Sequence, residues 1–157
     1  MFEDAPDSNE QTTEMPETED QQGHAAASEP IRKWENKIVP YNIHSTFDKK
    51  QRAIILAATT EVEDNTCISF VPRQLQKDYI LFKKLDHGSI CSSIVGRQES
   101  GGRQHVNLTD ECVERNTVLH ELMHVLGFQH EHTRHDRDKH IQINLDHVRP
   151  KHRTFEI

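Results

Sequence analysis

"HELMHVLGFQH", His120–His130, carries three histidines and a glutamate in eleven residues, with one glycine between the second and third histidine. On a helix each residue advances about 100°, so positions i and i+4 lie about 40° apart around the axis. His120 and His124 then project from one face, one turn apart. Two imidazoles so placed fit adjacent corners of a zinc tetrahedron, where Zn–N distances are about 2.0–2.1 Å. Glu121 is poorly placed as a ligand beside them, but it can reach a water on the metal, which is the position of a general base. Gly127 tolerates positive φ and favours a helix end, so the chain can turn after Leu126 and bring His130 back as a third ligand. Three neutral imidazoles leave one position open, as a catalytic zinc site requires. The pattern predicts one zinc ion per chain.

Two other readings compete. HExxH alone recurs by chance on ordinary amphipathic helices, but the glycine and third histidine at fixed offsets make chance a poor account. A structural zinc site would usually be closed by a fourth side chain, often Cys. Here a glutamate stands at the general-base position and no thiol is near.

Outward from the motif, "VERNTVLHELMHVLGF" reads as one helix, packing through Val118, Leu119, Leu122, Met123 and Leu126. "STFDKKQRAIILAATTEVEDNT" reads as another. Ser45 and Asp48 have capping-box spacing, and Ile54, Ala58 and Val62 recur on one face. "KIVPYNI" reads as a strand that Pro40 makes an edge or an irregular one. "CISFVPR", "DYILFKK" and "QHVNL" are further strand candidates. "HGSICSSIVGRQESGGRQ" is loop-rich with room for a short strand. Gly101 and Gly102 are not a phosphate loop, because no Gly-Lys-Ser/Thr follows.

The chain has 157 residues, which suggests one domain with an appendage. Residues 1–30 hold nine acidic side chains and no Lys or Arg, against seventeen acidic and nineteen basic residues in the remainder. The net charge of −7 therefore belongs to the tail. The rest is nearly neutral, with no dominant basic face to suggest nucleic acid. The tail is poor in large apolar residues and is expected to be disordered alone, as a solubilising tail or a pro-segment remnant. The expected division is an acidic tail over residues 1–24 and a folded domain over 25–157. No stretch is long and apolar enough for a membrane span, and "MFEDAPDSNE" has neither the basic nor the apolar region of a signal peptide.

"HELMHVLGFQHEHTRHDRD", residues 120–138, closely resembles the astacin family of metzincin zinc endopeptidases, whose pattern is HExxHxxGFxHExxRxDRD. "WENKIVPY", "TCISFVPR", "DYILF", "CSSIVGR" and "IQINLDHVRP" follow the family in order and spacing, so the resemblance covers roughly residues 25–157. It implies an α+β fold, the metzincin upper subdomain. That means a mixed twisted sheet of about five strands with two long helices, the second carrying the zinc motif. It implies a secreted zymogen that hydrolyses peptide bonds in protein or peptide substrates, expected to act as a monomer. By position His120, His124 and His130 are zinc ligands and Glu121 is the general base toward a zinc-bound water. Glu131 would receive the new N-terminal ammonium after processing near Ala25. The faint echo of an inhibitory FxGD motif at Phe2-Glu3-Asp4 lacks its glycine. Ser92–Val95 resembles the edge strand that pairs with extended substrate, although a plain disulfide-tethered loop reads equally well. Asp136, Arg137 and Asp138 read as structural. His132, His135 and His140 read as a solvated face rather than a second metal site.

By the same resemblance Cys91 pairs with Cys112, and Cys67 matches a cysteine whose partner lies further along the family's domain. Asn107-Leu108-Thr109 is a glycosylation sequon compatible with an extracellular location. The family's Met-turn, of the type SxMHY, follows the zinc motif. Here the methionines are Met1, Met15 and Met123 and the tyrosines Tyr41 and Tyr79. The expectation is therefore the upper half of an astacin domain. An endopeptidase is one reading. A catalytically inactive zinc-binding fragment or isoform, hydrolysing peptides poorly or not at all, is the other.

Overall fold

The computed structural model describes residues 31–133, 136–144 and 146. The acidic segment 1–24, the expected mature start near Ala25, and His135 lie outside the described residues. Among the described residues the fold is α+β, one mixed five-stranded sheet and two helices. Strand β1 is Ile38–Ile43, helix α1 is Lys49–Asn65, β2 is Ser69–Pro72 and β3 is Tyr79–Lys84. After them come β4, Ser92–Ser93, β5, Arg103–Leu108, and α2, Arg115–Val125. The sheet order is β2-β1-β3-β5-β4. The first four of these strands run parallel, and β4 pairs antiparallel with β5 at one edge.

Alternation along the strands creates the core. Ile80, Phe82, Val106 and Leu108 are fully buried, while Lys83 and Arg103 on the opposite face are exposed. Side chains in a strand point to opposite faces at period two. The buried face meets Ile55, Ala58 and Val62 of α1 and Val118, Leu122 and Val125 of α2. Each large apolar side chain fully removed from water contributes about 1.5–3 kcal/mol. The two helices also pack on each other, and Arg115 Nε donates to Glu61 Oε2 at 2.8 Å across them.

Three local expectations are corrected. Strand β1 is internal, between β2 and β3. Pro40 is tolerated because it faces Val71 of β2, while the β3 ladder begins only at Tyr41. At Pro40 the strand has one ladder partner, so a missing N–H is admissible there. The capping box is not Ser45 with Asp48 but Asp48 with Gln51. Asp48 Oδ1 accepts from Gln51 N at 2.8 Å, and Asp48 N donates to Gln51 Oε1 at 3.1 Å. Met123 is exposed rather than packed, and Val125 is the buried residue instead.

Candidate metal centre

Helix α2 starts from Glu114, whose carboxylate accepts from Thr117 N at 2.8 Å. It ends in a Schellman motif. Gly127 N donates to His124 O at 2.8 Å and Phe128 N to Met123 O at 3.1 Å, the 5→2 and 6→1 bonds of that motif. Gly127 takes φ +108°, and a Cβ built there would lie 2.8 Å from Ile31 Cγ2. The backbone conformation therefore calls for glycine, and the exposed Ile31 side chain would have to shift for any larger residue. The turn reverses the chain and brings His130 over the helix.

The three histidines converge. His120 Nε2 and His124 Nε2 are 3.0 Å apart, His124 and His130 3.1 Å, and His120 and His130 3.2 Å. A tetrahedral ion with Zn–N distances of about 2.0–2.1 Å holds its ligand nitrogens about 3.3–3.4 Å apart. The triangle is thus within a few tenths of an ångström of the size zinc needs. His124 Nδ1 lies 2.7 Å from Phe128 O. A carbonyl only accepts, so Nδ1 carries the proton and Nε2 presents its lone pair to the centre. Burial, then the neighbouring histidines His124, His120 and His132, hold His130 below its ordinary value, which favours the neutral ligand form. His132 stacks on His130 at 5.3 Å between ring centroids. Among the described residues these three histidines form the convergent donor group.

Glu121 is 4% exposed, beside the histidines rather than among them. Its carboxylate Oε2 accepts from Ser93 Oγ at 2.8 Å, and its backbone carbonyl lies 2.9 Å from the same hydroxyl. Sequence reasoning placed Ser93 in the candidate substrate strand Ser92–Val95 and missed its bond to Glu121. The signal was the alternation from Cys91. Cys91 is bonded to Cys112, with Cα atoms 6.5 Å apart, so Cys91 faces the start of α2 and Ser93, two residues on, faces it too. Ser93 is paired with buried Val106, whereas Ser92, paired with Asn107, accepts from Asn107 Nδ2 on the other face.

The loop after β4 is pinned to the end of α2. Gly96 N donates to His124 O at 2.8 Å, the carbonyl that also accepts from Gly127 N, and Trp34 Nε1 donates to Val125 O at 2.9 Å, satisfying a carbonyl that a helix C-terminus leaves unpaired. The histidines, Glu121 and β4 line one cleft of about 450 Å³. Glu131 is exposed at the start of a short 3₁₀ turn, next to His130. Asp136, Arg137, Asp138 and His140 form a separate turn, where His140 Nε2 lies 3.7 Å from Asp136 Oδ2. Cys67 is a free, exposed cysteine.

A model of the Astacin peptidase family matches residues 26–156. Zinc metalloproteinase nas-8 of Steinernema carpocapsae is 46% identical over 120 residues, covering 74% of this chain and 28% of that protein. Bone morphogenetic protein 1 of Xenopus laevis is 40% identical over 126 residues, covering 80% of this chain and 17% of that protein. The chain thus spans less than a third of the length of these relatives. Among solved structures, the hatching enzyme zinc-protease high choriolytic enzyme 1 of Oryzias latipes superimposes with a TM-score of 0.66 at 35% identity. The match covers 77% of this chain and 60% of that one.

Proposed function

The chain belongs to the astacin family of peptidases, and we propose that it serves as a zinc-dependent endopeptidase domain, one zinc ion per chain, acting on protein or peptide substrates. The observation that carries this reading is the triangle of three Nε2 atoms 3.0–3.2 Å apart beside a buried carboxylate. His120, His124 and His130 would hold the ion through Nε2, with Phe128 O fixing the tautomer of His124. Zinc so bound supplies a Lewis acid that brings the pKa of water to about 7 and offsets negative charge on a substrate carbonyl. Glu121 would take the proton from the attacking water and return it to the leaving amine. Its burial strengthens electrostatic effects at this point.

Strand β4 has β5 on one side and closes the sheet order on the other. Its free edge would pair with an extended substrate, main chain to main chain. The Cys91–Cys112 bridge keeps that edge against the metal helix and suits an extracellular, oxidising compartment. Glu131 would take the ammonium of a processed N-terminus near Ala25.

The test is metal content together with proteolysis. Purified chain should carry one zinc, and His124→Ala should carry almost none. An unstructured protein substrate should be cleaved in a chelator-sensitive way. Full zinc content in His124→Ala would refute the ligand set. Stoichiometric zinc with no cleavage would favour the zinc-binding module without turnover.

A further inference from the structure

We propose that Ser93 is a positioning residue for the general base, holding one oxygen of the Glu121 carboxylate so that the other faces the cleft. The inference rests on the endopeptidase reading above and deepens it. Among the described residues, Ser93 is the hydrogen-bond donor to that carboxylate, at 2.8 Å from Oε2. A buried carboxylate needs a donor, and a serine hydroxyl has one proton to give. That proton has two acceptors within reach, Oε2 and the Glu121 carbonyl at 2.9 Å. The carbonyl is already part of the α2 ladder, whereas the carboxylate draws the stronger, charge-assisted bond.

The placement of Ser93 links two parts of the cleft. It lies on β4, the strand whose free edge would hold substrate, and it touches the residue that would move the proton. Two constraints fix it there. Its register against Val106 turns the side chain toward α2, and the Cys91–Cys112 bridge two residues earlier ties the strand to the start of that helix. A substrate chain that pairs with β4 would therefore be in register with the base through one hydroxyl. A small displacement of a reacting group costs up to about a hundredfold in rate.

The test compares the full 157-residue chain with its Ser93→Ala and Ser93→Thr variants. In metal-free protein at a single pH, the side-chain carboxyl ¹³C resonance of Glu121, identified by its loss in Glu121→Gln, should move in Ser93→Ala and return in Ser93→Thr. In zinc-loaded protein, Ser93→Ala should lower kcat about ten- to a hundredfold with KM and zinc content unchanged, and Ser93→Thr should restore most of it. An unmoved resonance in Ser93→Ala overturns the proposal. So does a moved resonance with kcat unchanged, which would leave Ser93 a tether between β4 and α2. A wild-type chain that cleaves nothing refutes the endopeptidase reading instead, and the resonance then decides alone whether Ser93 holds the carboxylate.

Discussion

Helices α1 and α2 lie side by side on one sheet face, yet they bury different things. Helix α1 buries Ile55, Ala58, Val62 and one polar residue, Thr59. The Thr59 hydroxyl is satisfied within its own helix, donating to Leu56 O at 2.8 Å. Helix α2 buries Val118, Leu122 and Val125, and with them two polar residues, His124 and Glu121. The Glu121 carboxylate is satisfied from another element, by Ser93 of β4. The buried hydroxyl of α1 needs nothing beyond its own helix. The buried carboxylate of α2 is held with help from elsewhere in the chain.

The contrast breaks most sharply on activity. Glu121→Gln should lower the rate of peptide cleavage by about 10²–10⁴, the range for a lost general base, while zinc content stays at one per chain. Thr59→Val removes an equally buried polar group from α1 and should leave the rate within about twofold. Steady-state assays on one unstructured protein substrate compare the two. Similar losses in both would erase the distinction between the helices.

Stability should not separate them. Ile55 and Leu122 are both fully buried, and either truncated to alanine should cost about 2–5 kcal/mol in denaturant unfolding of the metal-free chain. A much cheaper Leu122→Ala would mean that α2 is held by the metal site more than by its core stripe.

Metal removal sharpens the same point. A ligand that binds only the folded chain stabilises it, by about 2.7 kcal/mol when present at a hundred times its Kd. Chelation should therefore lower the melting temperature of wild type and of Ile55→Ala alike. It should leave His124→Ala where it was. A chelator effect that persists in His124→Ala would place the stabilising ion elsewhere.

The same contrast explains what the sequence disclosed. The strands followed from β-prone runs, and the convergence of His120, His124 and His130 from their spacing. The capping box was placed three residues early because Ser45 and Asp48 share the spacing of Asp48 and Gln51, and only the backbone tells which pair begins the helix. On α2 the apolar character of Met123 outweighed its angle. At about 100° per residue, Val118, Leu122 and Val125 fall within about 60° of one another, and Met123 lies far round the helix from them. The same count puts Glu121 about 60° from Val118, between the buried stripe and the two histidines, which is why it is buried. Ser93 could not be reached by periodicity on α2 at all, since it arrives from a two-residue strand 28 residues earlier in the chain. Alternation from the bridged Cys91 gives the face that Ser93 takes, but its partner on α2 is set by tertiary packing.

The smallest expected effect concerns how the two helices begin. Both use an acidic N-cap. Asp48 makes a reciprocal pair with Gln51, and Asp48→Ala should cost about 1 kcal/mol. Glu114 reaches forward and accepts from the Thr117 hydroxyl at 2.6 Å and from Thr117 N at 2.8 Å. A longer side chain loses more rotamer freedom in making such a cap, so Glu114→Ala should cost less than Asp48→Ala. Its effect should carry a pH signature. The Thr117 hydroxyl, then the Thr117 N–H, hold the Glu114 carboxyl below its ordinary value of 4.5. A carboxyl with a depressed pKa in the folded chain stabilises the fold through its ionised form. That contribution is complete above pH 4.5 and is lost as pH falls through the lower, folded value. The melting temperature of wild type should therefore exceed that of Glu114→Ala at pH 7, and the gap should close on acidification below pH 4.5. A gap that stays constant into acid would show that Glu114 caps α2 without using its charge, and the start of α2 would then differ less from that of α1 than the structure indicates.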